Sequence, residues 1–186
     1  MPSPLGHGLA GIAAGWGVAK PAADRRERIL QAVLLAALAT APDLDLLTRH
    51  HRYETHSVGA AVLAGAAAAL IRLPIATSRW RIFWAATAAW ATHPLLDMLA
   101  PDNWPPIGVM AFWPFSHGFY LTGLNIFMPV ARNIHSRAAL TLDAWAALRE
   151  TLILVPTVAA VWWIRTGRYR TRGRSSGPGI PPSPSA

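Results

Sequence analysis

The chain has 186 residues, 53% hydrophobic and only 14% charged, with a mean hydropathy of +0.28, a balance that departs from soluble globular proteins toward membrane proteins. It has no cysteine, which excludes disulfides and thiolate metal sites, so a metal here must be held by imidazole and carboxylate. The net charge of +8 does not point to nucleic acid, because the basic residues sit at the ends of apolar runs instead of among exposed polar aromatics.

In chain order, residues 5–19 form a short, glycine-rich apolar helix. Its Gly11 and Gly15 have the small-xxx-small spacing that lets membrane helices approach closely. No basic stretch precedes it, so it reads as a retained helix and not as a cleaved signal. After the basic turn "KPAADRRER", residues 29–41 form a second hydrophobic helix stopped by Pro42. Residues 57–71, dense in Gly and Ala, form a third, with Thr55 or Ser57 as its cap.

A turn carrying Arg72, Arg79 and Arg81 leads into the fourth helix, 80–100, which Pro94 is expected to kink near its end. Residues 101–135 are apolar but broken by Pro114, Ser116, His117 and Gly118, and read as re-entrant or interfacial. Residues 138–164 are the last span, and 166–186 read as a disordered basic, Pro/Ser/Gly-rich tail. The expected fold is all-α: one domain over 1–165, a polytopic membrane bundle of about five hydrophobic helices.

Counting arginines orients such a bundle. With the tail in the cytoplasm and 101–135 not crossing, Lys20, Arg25, Arg26, Arg28, Arg72, Arg79, Arg81 and the five tail arginines fall inside, 12 of the 17 basic residues. Arg49, Arg52, Arg132, Arg137 and Arg149 fall outside with seven of the nine acidic residues. Trp80 and Trp163 then lie near the inner interface, Trp104 and Trp145 near the outer one. This topology, derived from arginines, gathers His7, Asp43, Asp45, His51, His56, His93 and Asp97 at the outer face.

His93 and Asp97 are four apart, so on a helix they point the same way. Asp43 and Asp45 follow Pro42 and are suited to binding a cation or serving as a base, or to ending a helix. In "HRYETHS", His51 and His56 are ligand types and Arg52 suits a phosphate oxygen, while the third helix's first amides are offered to an anion. His7 alone is more often a core residue; it gains weight from sharing the face. His50, His117 and His135 show no pattern. Arg149 and Glu150 are left outside the cluster, as a pair or as side chains snorkelling to water.

His7, "PDLD" at 42–45, "HRYETHS" at 51–57, "HPLLD" at 93–97 and "WPF" at 113–115 together resemble the YdjM-like family of bacterial inner-membrane proteins, described as membrane-bound metal-dependent hydrolases. The resemblance covers about residues 1–165. That family is in turn distantly similar to the zinc-dependent phospholipase C and P1 nuclease group. The resemblance implies His7, Asp43 or Asp45, His56, His93 and Asp97 as metal ligands, with His51 beside them. Two departures stand out: Tyr53 where the pattern has glycine, and His117 where it has a basic side chain.

The expected function is therefore a membrane-bound metallohydrolase of the bacterial inner membrane, using zinc, or manganese as second choice, on a phosphoester or phospholipid-type substrate. Asp45 would orient the attacking water and Arg52 would steady the substrate's charge. One alternative is a non-enzymatic membrane protein that binds metal or lipid headgroups in a structural, regulatory or stress-response role. A transporter is disfavoured, because the centres of the apolar runs are nearly empty of polar groups.

Overall fold

Four of the helices begin on a side chain that accepts from an amide of the first turn, where a helix has unsatisfied donors. Ser3 serves Gly6 N at the start of α1 (Pro4–Ala19), and Asp24 serves Glu27 N for α2 (Arg25–Thr40). Ser57 serves Ala60 N for α3 (Val58–Leu70), and Ser78 serves Arg81 N for α4 (Arg79–Met98). The last helix, α5, runs Arg137–Arg172. The computed structural model describes residues 1–48, 51–131 and 136–172. Among these there are five α-helices, two 3-10 helices (Ala41–Thr48 and Glu54–His56) and no strand, only an isolated bridge between Val109 and Tyr120. The all-α expectation thus holds.

The chain differs from the expected bundle in how many helices can cross a bilayer. Two segments are long and apolar enough, Arg25–Leu47 and Arg137–Gly167, and α3 is a shorter apolar helix. At 16 residues, α1 is about 24 Å long against a hydrocarbon core of about 30 Å. The length of α4 suffices, but Arg79 and Arg81 open it and His93 and Asp97 close it. Both α1 and α4 are the central helices: they pack on each other, α1 also on α2 and α5, and α4 also on α2 and α3. Enclosure by protein removes the need for an apolar surface all round.

Small residues set the close approaches. A Cβ on Gly11 would collide with Ala39 and with the carbonyl of Leu35, one on Gly15 with the Leu35 side chain, and one on Gly65 with Thr87 and the carbonyl of Phe83. The expected role of Gly11 and Gly15 is thereby realised against α2. Pro42 ends α2 as a helix at Thr40, and the chain continues as the 3-10 helix that carries Asp43 and Asp45. Pro94 is accommodated inside α4.

Residues 101–131 contain no helix and lie over the end of the bundle where His7, His56 and His93 sit. Their backbone is tied down by hydrogen bonds: Met110 N to Arg52 O at 3.0 Å, Thr122 N to Met98 O at 3.0 Å, Phe127 N to Leu99 O at 3.3 Å. In return Val58 N and Gly59 N at the start of α3 donate to Ala111 O and Trp113 O. Trp80, Trp104, Trp145 and Trp163 are all exposed. Helix α5 continues to Arg172, and residues 173–186 of the expected tail lie outside the described residues, as do Arg49 and Arg132.

The helix seam gives a first prediction. Gly11→Val should destabilise the fold by about 1–3 kcal/mol through overpacking, whereas Gly17→Ala, with nothing within 4 Å of its added Cβ, should not. Unfolding transitions of the detergent-solubilised variants measure the difference.

Candidate metal centre

Three helical ends and one turn meet at the covered end of the bundle. Helix α1 supplies His7, α4 supplies His93 and Asp97 one turn apart, the first 3-10 helix supplies Asp43 and Asp45, and the second supplies His56. His7, His56 and His93 are each 0% exposed and Asp97 3%. Burial this complete is costly for polar groups unless they are partnered. Yet both ring nitrogens of His7, Oδ1 of Asp43 and both carboxylate oxygens of Asp97 have no hydrogen-bond partner.

Those atoms face one another. His56 Nε2 lies 3.1 Å from His93 Nε2, 3.7 Å from Asp43 Oδ1 and 3.6 Å from Asp97 Oδ2. His93 Nε2 is 3.4 Å from both Asp43 Oδ1 and Asp97 Oδ2. Five of the six separations in this four-atom set are thus 3.1–3.7 Å. A tetrahedral ion with ligand distances of about 2.0–2.1 Å separates neighbouring ligands by about 3.3 Å. The five separations are thus of the size that ligands of one small cation would have, and hydrogen bonding alone would leave the carboxylates unsatisfied. His7 joins at the side, its Nε2 3.5 Å from Asp97 Oδ1 and its ring stacked on His93 with centroids 3.7 Å apart.

The imidazoles are aimed by their other nitrogens. His93 Nδ1 donates to the carbonyl of Ala39 at 2.7 Å, which leaves Nε2 with its lone pair toward the cluster. His56 Nδ1 lies 3.1 Å from Asp45 Oδ2, which directs its Nε2 the same way. Asp45 also binds His51 Nδ1 at 2.7 Å, the amide of Arg52 at 3.1 Å and the hydroxyl of Thr55 at 2.5 Å. With these partners Asp45 sits behind the histidines as an orienting group. His51 lies edge-on to His56 with centroids 4.9 Å apart, and Asp43, His51 and His56 offer ligand atoms within 4.8 Å of one another, as do His7, His93 and Asp97.

All seven residues expected as ligands are thus brought together, but the two anion-binding devices have other partners. Arg52 is buried, and its Nη1 pairs with Asp102 and donates to the carbonyls of Trp104 and Pro106, both at 3.0 Å. The first amides of α3 are taken by Ala111 O, Trp113 O and Ser57 Oγ. Residue 53 does not need the glycine of the family pattern, since Tyr53 has φ −84; the left-handed residue is its neighbour Arg52, at φ 78. Ser57 is the α3 cap, and Thr55 serves Asp45. His117 is exposed, while His50 and His135 lie outside the described residues. Arg149 and Glu150 do not pair: Arg149 reaches the carbonyl of Asn125, and Glu150 is fully buried on Ser3.

A cleft of about 810 Å³ adjoins the cluster, lined by Asp43, His51 and Arg52 on one side and by Pro101, Trp104 and Pro105 on the other. Ala39 O, Ser3 and Glu150 had no sequence pattern to announce them. For Asp102, the acidic residue after the "LAP" that ends α4 was the available signal.

The cluster carries a proton when no cation holds it. Burial opposes a charge on His56, but the adjoining carboxylates of Asp43, Asp45 and Asp97 prevail and raise its pKa to about 9. Below that value the bound proton must leave before a cation can use Nε2. Zinc affinity should therefore rise with pH between 6 and 8, by up to about tenfold per unit for one displaced proton. Competition titrations with a chromophoric chelator at several pH values measure the slope.

Neither a curated protein nor a solved structure matches the chain. A family model does, that of the YdjM inner membrane protein, over residues 1–171, a span that contains every residue of the cluster. The chain belongs to the YdjM inner membrane protein family.

Proposed function

We propose that the protein is a membrane-bound metal-dependent hydrolase acting on a phosphoester, with a phospholipid-type substrate as the natural class. The observation that carries this reading is the convergence of His56 Nε2, His93 Nε2, Asp43 Oδ1 and Asp97 Oδ2, enclosed and with no hydrogen-bond partner for Asp43 Oδ1 or for either oxygen of Asp97. Zinc suits this nitrogen and oxygen set, with manganese as the alternative. Such an ion supplies Lewis acidity and a water acidic enough to act as nucleophile near neutral pH.

The chain's own residues do the rest. Asp43 and His51 line the cleft and so connect the cluster to the space a substrate would occupy. His51, held at Nδ1 by Asp45 and with Nε2 3.1 Å from Met1 Sδ, forms a polar wall between the cluster and the cleft. Arg52 holds the 102–106 loop through Asp102 and two carbonyls and so shapes the cleft wall. Leu44, Leu46 and Leu47 are exposed beside Asp43 and Asp45, and they end the apolar segment Arg25–Leu47. An amphiphile whose tail stays in the bilayer fits that border of apolar and polar surface.

The alternative, a non-enzymatic metal- or headgroup-binding protein, draws on the engagement of Arg52 and of the α3 amides, which leaves fewer groups for transition-state charge. Metal analysis of the detergent-purified protein, with phosphodiester and phospholipid hydrolysis assayed with and without chelator, separates the two. The hydrolase reading expects bound zinc or manganese and chelator-sensitive turnover. Bound metal without turnover on a broad panel favours the alternative.

His93→Ala and Asp43→Ala should each lower bound metal and abolish turnover while the protein still inserts. Unchanged stoichiometry in both would remove them from the centre. The arginine distribution supports a periplasmic site end; a reporter fused after Arg174 should accordingly score cytoplasmic, and a periplasmic score would reverse the orientation.

A further inference from the structure

Glu150 lies in α5, within the apolar segment Arg137–Gly167, and is 0% exposed. Among the described residues no basic side chain pairs with it. A carboxylate so placed is expensive, and in membrane segments such residues mark function by default. Its partners are both on Ser3: Oε1 accepts from the Ser3 amide at 2.7 Å, and Oε2 accepts from the Ser3 hydroxyl. The same hydroxyl accepts from Gly6 N at 3.3 Å, and Ser3 O accepts from His7 N at 3.1 Å. Gly6 has no side chain where the carboxylate sits; a Cβ there would stand 2.7 Å from Oε2.

The residue that follows Gly6 is His7, the one histidine of the cluster whose ring nitrogens have no hydrogen-bond partner. His56 and His93 are aimed by Asp45 and by Ala39 O. His7 has no hydrogen-bonded anchor of this kind: its ring stacks on His93 and its Nε2 stands 3.5 Å from Asp97 Oδ1, so its aim depends on the position of the helix that carries it. That helix meets α2 through Gly8, Gly11 and Gly15, a smooth seam that fixes its distance better than its depth. At its far end Trp16 is held by Gln31, about 13 Å from His7 at 1.5 Å per residue.

We infer that Glu150 is a positioning residue for the metal centre: by clasping Ser3 it fixes the depth and rotation of the first turn of α1 and thereby aims His7 at Asp97. This rests on the reading of the cluster as a metal centre, and it adds a group on α5, a helix that contributes no ligand. It also explains why the first turn of α1 combines a serine cap, a prolyl residue and a glycine. The capping serine has to be reached from another helix, and the glycine makes room for the reach.

The test uses the full chain in detergent, with Co(II) and Zn(II) as probes. Glu150→Ala should weaken Zn(II) affinity by about tenfold or more, the range found when groups that orient ligands are removed, and should change the Co(II) ligand-field spectrum. Glu150→Gln, which keeps one acceptor for Ser3, should recover most of both. Gln31→Ala, which removes a buried hydrogen-bond hub at the opposite end, should unfold more easily but keep wild-type affinity and spectrum. If Glu150→Ala does not fold, Ser3→Ala takes its place with the same expectation.

Wild-type affinity and spectrum in Glu150→Ala, or an equal loss in Gln31→Ala, would overturn the inference. A second readout separates its failure from that of the metal reading. In chelator-treated protein, diethyl pyrocarbonate labelling of His7, mapped by mass spectrometry, should be low in the wild type and several-fold higher in Glu150→Ala. If the wild type binds no metal, the metal reading fails while this labelling still decides whether Glu150 holds His7 in place; equal labelling overturns that as well.

Discussion

Polar atoms that are shut away from water must find partners inside the protein, and at the covered end of this bundle the partners are one another. His56 Nε2, His93 Nε2, Asp43 Oδ1 and Asp97 Oδ2 converge without enough hydrogens to join them. Gln31, at the other end, is an internal comparison. It too is buried, but its oxygen accepts from Trp16 Nε1 and Ala22 N, and its nitrogen donates to Lys20 O and Ile75 O. Every capacity of that amide is matched, so it joins the turns and needs nothing further. The same burial with unmatched acceptors calls for a cation or a proton. One end of the bundle is thus held by a satisfied polar hub, and the other is built around a charge that has to be supplied.

That constraint orders the rest of the fold. The two central helices are the ones with polar ends, α1 with His7 and α4 with His93 and Asp97, and they are enclosed by their neighbours. Helices α2 and α5, whose apolar surface faces outward, are the ones fit to cross a bilayer. Over the polar end lies a segment without helix, tolerable near a membrane only if its backbone groups are satisfied within the protein. Arg52 O, Met98 O and Leu99 O supply acceptors for it. The sealing segment and the cluster therefore share residues: Arg52 accepts Met110 N with its carbonyl, binds Asp102 with its side chain and gives its amide to Asp45.

The helices were legible because their signals are local. The cap at Ser57, the Gly11/Gly15 spacing and the break at Pro42 each act within a few residues, and the helix bounds follow them closely. The cluster was legible for a different reason: histidines and carboxylates at the ends of apolar runs are too costly to be incidental, and the arginines place those ends together. What escaped was pairing at long range. Glu150 meets Ser3 across 147 positions, and Asp102 meets Arg52 across 50. A pattern search sees Arg52 as a free cation suited to phosphate, since nothing near it in sequence announces its partner. Fewer segments than expected have the length and apolar character to cross a bilayer, for a related reason. Hydropathy does not reveal that α1 and α4 are shielded by protein and so need neither full length nor a wholly apolar surface.

The engagement of Arg52 bears on how an anionic substrate would be held. It is the one Lys or Arg among the described residues lining the cleft, and its Nη1 already serves Asp102 and two carbonyls. The first amides of α3 are likewise occupied. Fixed positive charge at the cleft is therefore largely neutralised, while Asp43 and Asp45 contribute negative charge. An ion-free cluster would repel a phosphate, and a cation in the cluster would reverse the sign of the field there. On that electrostatic ground, a cation in the cluster and an anion in the cleft would each strengthen the binding of the other, and the arginine that the sequence pattern singles out would supply neither.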